Sequence, residues 1–441
     1  MNMGTIKTFV AGLALFSLSA MPVMAEGPAA GPVQQVGLFS KLTKKDDDCA
    51  KDSKKGADKK SADAKKAGCD NGRDNGCYGD GNGDGCDLLQ RAMNRTGLGR
   101  RLSDKGVRVS GYLQLGYHSD STGGLSSHPR DNTGGFNSHP DALNLHQMYL
   151  AIEKLADEDA ETGLGFRVDL VYGVDAQDMQ SFGNEAGSSV FDDDADWDHG
   201  VYGWAMPQLY ATVVRGDLSV KAGHFFGGLG LERVNPNDNK FYSRSKAMNR
   251  SQPRTLTGFM ADYNITDDLT TSFGWTAGWD TGFDRGNDGD SSDGSTLIAV
   301  ASFELVEDEV SVTYAVTMGD LGSRGEGYVH SVYAELEIEE EIYYGIESVL
   351  VETNSGSLGH DHTVGISQIL YTSITDDVSG GMRIEWWKKN GQSEYDLTFG
   401  LNIKASDCVI IRPEVRTDWG AATATGEEDQ SVFGVDVILT Y

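Results

Sequence analysis

From Val107 to Tyr441 apolar residues fall on every second position in one stretch after another. At the end of the chain Phe433, Val435, Val437, Leu439 and Tyr441 share one face, and Gly434, Asp436, Ile438 and Thr440 share the other. Residues 393–406 and 309–320 repeat the alternation, with Tyr395, Leu397, Phe399, Leu401 and Ile403 opposing Glu394, Asp396, Thr398, Asn402 and Lys404. A period of two marks a strand lying between two environments. Sixteen such stretches run from 107–119 to 431–441, with fourteen and eighteen strands as the alternatives. No apolar run after residue 25 approaches the roughly 18 residues that a helix needs to cross a bilayer. A membrane form of this chain must then be a closed barrel, because only closure pairs every strand edge. The pattern predicts an all-β, antiparallel transmembrane barrel of the outer-membrane kind over 105–441, with Phe433 to Tyr441 as its closing strand.

The connections carry a second pattern. Links after even-numbered strands are short and rich in turn residues, as in Arg215-Gly216-Asp217, Thr266-Asp267-Asp268 and Thr375-Asp376-Asp377. Several links after odd-numbered strands are long, such as 120–142, 177–203, 229–253 and 282–294. Outer-membrane barrels sort their connections this way, with the short turns in the periplasm. A soluble sandwich has no reason to do so. An even strand count places both ends of the chain in the periplasm.

The beginning of the chain reads differently. Lys7, the apolar run Phe9–Ala20 and Val23-Met24-Ala25 form a secretory signal over 1–25. Residues 26–104 form a separate periplasmic segment. Its Lys/Asp-rich part cannot bury enough apolar surface to fold alone, and 88–102 is a candidate short helix. Acidic residues number 67 against 37 basic, a formal charge of −30, which argues against nucleic acid as a partner. Cys49, Cys69, Cys77, Cys86 and Cys408 are an odd number in an oxidising compartment. A link from Cys408 to one of the other four would tether the first segment at the barrel mouth.

The stretches GYLQLGY (111–117), LNLHQMYLAIEK (143–154), FRVDLVYGVDAQ (166–177), PQLYATV (207–213), LSVKAGHF (218–225) and RPEVRTDW (412–419) resemble the β-barrel porin family common in planctomycetes, which is related in style to carbohydrate-selective porins. The resemblance spans about Val107 to Tyr441. It implies an outer-membrane diffusion channel, a third long loop folded into the lumen, and outer-membrane lipid, the barrel assembly machinery, small hydrophilic solutes and sister copies in a homotrimer as partners.

The chemistry sits in the third long loop and on the inner wall. Arg233, Lys240, Arg244, Lys246, Arg250 and Arg254 face only Glu232 and Asp238 within 230–254. A cluster of cations at a constriction attracts anions; alternatively these residues pair with acidic neighbours. Arg167 and Asp169, Arg383 and Glu385, and Arg412, Glu414 and Arg416 alternate in sign on the expected inner face. On the lipid side the basic members would cost about 2–4 kcal/mol each. A ladder of cross-strand pairs is the plain structural role for them, and a transverse field in the lumen the functional one. Asp80, Asn82 and Asp84 resemble the start of a calcium loop, but Arg91 stands where that loop needs a bidentate Glu. No cofactor is otherwise indicated, and no nucleophile motif points to an enzyme. Two further readings stay open: a structural or adhesive barrel with a plugged lumen and calcium-binding acidic loops, and a barrel-borne hydrolase.

Overall fold

The computed structural model describes residues 86, 88–119, 139–158, 160–181, 197–283, 294–306, 309–338, 341–355, 359–420 and 429–441. The signal segment, Asp80, Asn82, Asp84, Cys49, Cys69, Cys77 and most of the acidic loop residues lie outside these.

Sixteen strands form the barrel: β1 Val107–His118, β2 Asn144–Lys154, β3 Gly163–Gly173, β4 Tyr202–Arg215, β5 Leu218–Phe226, β6 Thr255–Thr266, β7 Leu269–Trp279, β8 Ser295–Val306, β9 Val310–Asp320, β10 Glu326–Ile338, β11 Ile342–Ser355, β12 Gly359–Thr375, β13 Val378–Lys389, β14 Gln392–Ser406, β15 Val409–Gly420 and β16 Asp429–Thr440. A two-residue strand, Asp198–His199, adds to β4. Each barrel strand pairs antiparallel with its neighbours in sequence. β1 then pairs with β16, from Tyr112 opposite Thr440 to His118 opposite Gly434. The ring is closed, so no strand edge is left along the shared span.

Alternation decides which face is which. Asp436, Ile438 and Val432 point inward and are buried, while Phe433 points outward and is exposed. Phe259, Phe273, Leu297, Met318, Leu370, Phe399 and Val415 are likewise exposed on the outer wall. Only a hydrocarbon surround makes such a continuous apolar exterior favourable. The links after β4, β6, β8, β10, β12 and β14 are two or three residues long. Those after β1, β3, β5 and β7 are the long ones. The opposite rim also has two short links, of three residues between β11 and β12 and of two between β13 and β14; the second is a tight turn. There Asn390 and Gly391 both take positive φ (49° and 90°), the pairing that a two-residue turn needs to match strand twist.

Just before the barrel, residues 88–103 form two short helices where one was expected, α1 Leu88–Asn94 and α2 Gly97–Ser103. Thr96 separates them because its hydroxyl accepts from the Gly99 N–H and starts α2 afresh. Tyr441 bonds Gly111, and among the described residues the part of β1 before Gly111 pairs with no strand on the β16 side. The Gln90 side chain of α1 accepts the free N–H of Val109 there. Cys86 is joined to Cys408 in the β14–β15 turn by a disulfide.

Candidate constriction site

The link between β5 and β6, residues 227–254, turns into the barrel. A buried loop must satisfy its main chain without water, and the wall supplies the partners. Arg412 donates to the carbonyls of Pro236 (2.8 Å) and Asn239 (2.9 Å). Arg416 donates to Arg244 O (2.8 Å) and Arg383 to Ser243 O (2.9 Å). The wall carboxylates take the N–H groups. Glu414 accepts from Ser243 (3.2 Å), and Glu347 of β11 from Leu231 (3.2 Å). Glu385 accepts from both Lys246 (2.6 Å) and Ala247 (2.7 Å), the free N–H groups that open the short helix α3, Lys246–Ser251. The alternating signs on β13 and β15 thus match the alternating polarity of a peptide chain. Arginine meets carbonyls, and glutamate meets amides.

The charges also pair with one another. Arg383 contacts Glu232 of the loop at 2.7 Å. Arg412 contacts Asp436 of β16 at 2.6 Å, and Arg416 contacts Asp418 at 2.8 Å and Asp396 at 3.3 Å. On the far wall Arg167 meets Asp169 at 2.9 Å and Glu153 at 3.0 Å. All seven ladder residues named from the sequence face inward and are buried. Asp396, Asp436 and Glu347 complete the arrangement. Their partners lie far off in sequence, so only their inward parity signalled them.

The six loop cations divide. Lys246 is turned into the wall between Asp396 and Asp418. Arg244 donates to the carbonyls of Arg233, Tyr242 and Val234. Both are buried. Arg233, Lys240, Arg250 and Arg254 keep part of their surface. Arg233 donates to Gly228 and Gly230 carbonyls and lies 5.6 Å from the Tyr333 ring. Lys240 sits 4.6 Å above Tyr343. Arg250 pairs with Glu394 at 2.9 Å, and the Arg254 N–H donates to Asp280.

Apolar contacts fix the loop from the other sides. Leu229 and Ala247 join Ile298, Val300, Ala315, Val329 and Val349 of the wall in one cluster. The space left between the loop and β9–β10 is about 10 Å³, close to that of a single water. Tyr242 reaches across to His146 of β2 at 2.7 Å and lies over Gly434, where a Cβ would come within 2.8 Å of its ring. Phe241 lies as closely over Gly400. The alternation places Gly434 on a strand face and says nothing of what lies over either glycine. Towards the short turns the inner wall is polar, with Lys221, Asp262, Thr313, Glu335 and Asn402.

A closed sixteen-stranded barrel, apolar outside and charged inside, with its third long link folded inward, is the architecture of an outer-membrane porin. Residues 106–441 match the family described as Putative beta-barrel porin-2, OmpL-like, and the chain belongs to that family. Similar folds occur in the outer membrane channel DcaP of Acinetobacter baumannii (9% identity, 76% of this chain and 97% of that one, TM-score 0.53). They occur also in OprB of Pseudomonas putida (12%, 79% and 97%, 0.51) and an anion-selective porin from Comamonas acidovorans (9%, 76% and 99%, 0.50). No curated protein matches the chain. Porins are channels rather than enzymes.

Proposed function

We propose that this porin passes small hydrophilic solutes by diffusion along a narrow route beside its third long loop. Its short turns and its last residue would lie on the periplasmic side. The supporting observation is the seat of that loop, which wall charges fix to the inner face through its own main chain. A segment so held sets a fixed width rather than a fluctuating one. We further propose an anion preference carried by Arg233, Lys240, Arg250 and Arg254, since the seat consumes Arg244 and Lys246. The test is conductance of the purified protein in a planar bilayer under a salt gradient. Discrete openings with an anion-signed reversal potential are expected. Replacing Arg233 and Lys240 by alanine should move that potential towards cations. An unmoved potential would remove the loop from the selectivity argument.

A second reading rests on burial. At the level of the loop, inner-face residues such as Thr276, Ile298, Val300 and Thr317 are at most 1% exposed. A barrel filled in this way would serve as a structural or adhesive wall element. It predicts a folded protein that stays electrically silent.

A further inference from the structure

The rim of the short turns is acidic. Its turns carry Asp217, Asp267, Asp268, Asp376, Asp377 and Asp407. Cations at the adjoining strand ends are paired, Arg215 with Glu161 at 3.9 Å and Lys404 with Asp407 at 3.0 Å. The helices before β1 have the opposite sign. Arg91, Arg95, Arg100, Arg101 and Lys105 lie on them or just after and are exposed. Asp104 is the one acidic residue between 88 and 108. Arg95, Arg101 and Lys105 form no ion pair among the described residues.

Burial on β1 places these helices at the bilayer. Val107 and Val109 share the outward face of β1 with Leu113 and Leu115, yet both are buried. α1 and α2 pack against β1, so they lie on the lipid side of the wall, at its short-turn edge. The same helices leave Leu88 and Leu98 54% and 68% exposed. At that depth an apolar side chain can enter the acyl region while long cationic ones reach back to the phosphates.

We propose that α1 and α2 form a seat for anionic phospholipid, binding the phosphate headgroups of the leaflet at this rim. A phospholipid is the fitting partner because cations and exposed leucines stand together at the bilayer edge. A soluble anion would use the cations alone. The inference does not depend on whether the lumen conducts.

The test exchanges the full chain into micelles holding equal amounts of phosphatidylglycerol and phosphatidylcholine. The protein is then re-purified, and the lipid it retains is measured by mass spectrometry. Phosphatidylglycerol should be retained in excess, and the excess should shrink as salt is raised. Arg95→Gln with Arg101→Gln and Lys105→Gln should lower it, by up to about fivefold for each side chain neutralised. Arg215→Gln with Lys404→Gln removes cations from the same rim and should leave it nearly unchanged. The Lys-rich segment is present in every variant, so the comparison reads the helices. Heat-modifiable migration shows that each variant folds, and Arg101→Gln alone is used if the triple variant does not. Equal retention of both lipids, an excess untouched by the helix substitutions, or an equal fall in the Arg215 and Lys404 control would each overturn the proposal.

Discussion

Arg383 shows what a single side chain does here. It is fully buried, and it holds Glu232, the Ser243 carbonyl and the Ser243 hydroxyl at once. Arg383→Met would leave Glu232 and Asp396 without that cation in a dry site. Removing one partner of a buried pair costs on the order of 3–5 kcal/mol. The variant should lose its heat-modifiable fold at a clearly lower temperature than the wild type, and an unchanged midpoint would show that the loop tolerates the loss. Asp178, in the half-buried turn after β3, is a titrating case outside the strands. Burial raises its carboxyl to about 7, with Arg254 opposing and Asp175 and Asp280 adding to the shift. The folded protein then keeps a proton that the unfolded chain releases near pH 4. Its contribution to stability therefore falls as pH rises from about 4 to about 7. Asp178→Asn should flatten that slope in unfolding midpoints taken across the same range.

At the scale of elements, the strands were legible and the seat of the loop was not. Alternation in 393–406 or 431–441 fixes a strand and its two faces because side chains simply alternate, and each inward charge on β13 and β15 could be placed from parity alone. What those charges hold is a different matter. Glu385 and Lys246 are 139 residues apart, and no local pattern couples them. Gly400 and Gly434 look like weak points in strands until Phe241 and Tyr242 are seen lying on them. The loop cations were legible as a cluster, yet their division into buried and partly exposed groups depends on which wall residue each one meets. Gly434→Val should push Tyr242 off its seat and loosen the whole link without changing strand pairing. Higher single-channel conductance than wild type is the expected result. Equal conductance would mean that Tyr242 does not limit the passage.

For the whole molecule, the disulfide between Cys86 and Cys408 reaches furthest. The sequence offered four partners for Cys408, and spacing did not choose between them. The bond fastens the helices before β1 to the β14–β15 turn, where Gln90 covers the open end of the seam. Its half-cystines are separated by 322 residues, so nearly the entire barrel lies inside one covalent loop. An unfolded chain closed into so large a ring loses much of its freedom. In the chain-entropy picture that loss amounts to about 5–6 kcal/mol at 25 °C. Most of this link's contribution would then be felt by the denatured protein rather than the native one. Reduced protein, or Cys86→Ser, should have nearly unchanged native contacts and yet unfold at a distinctly lower urea concentration.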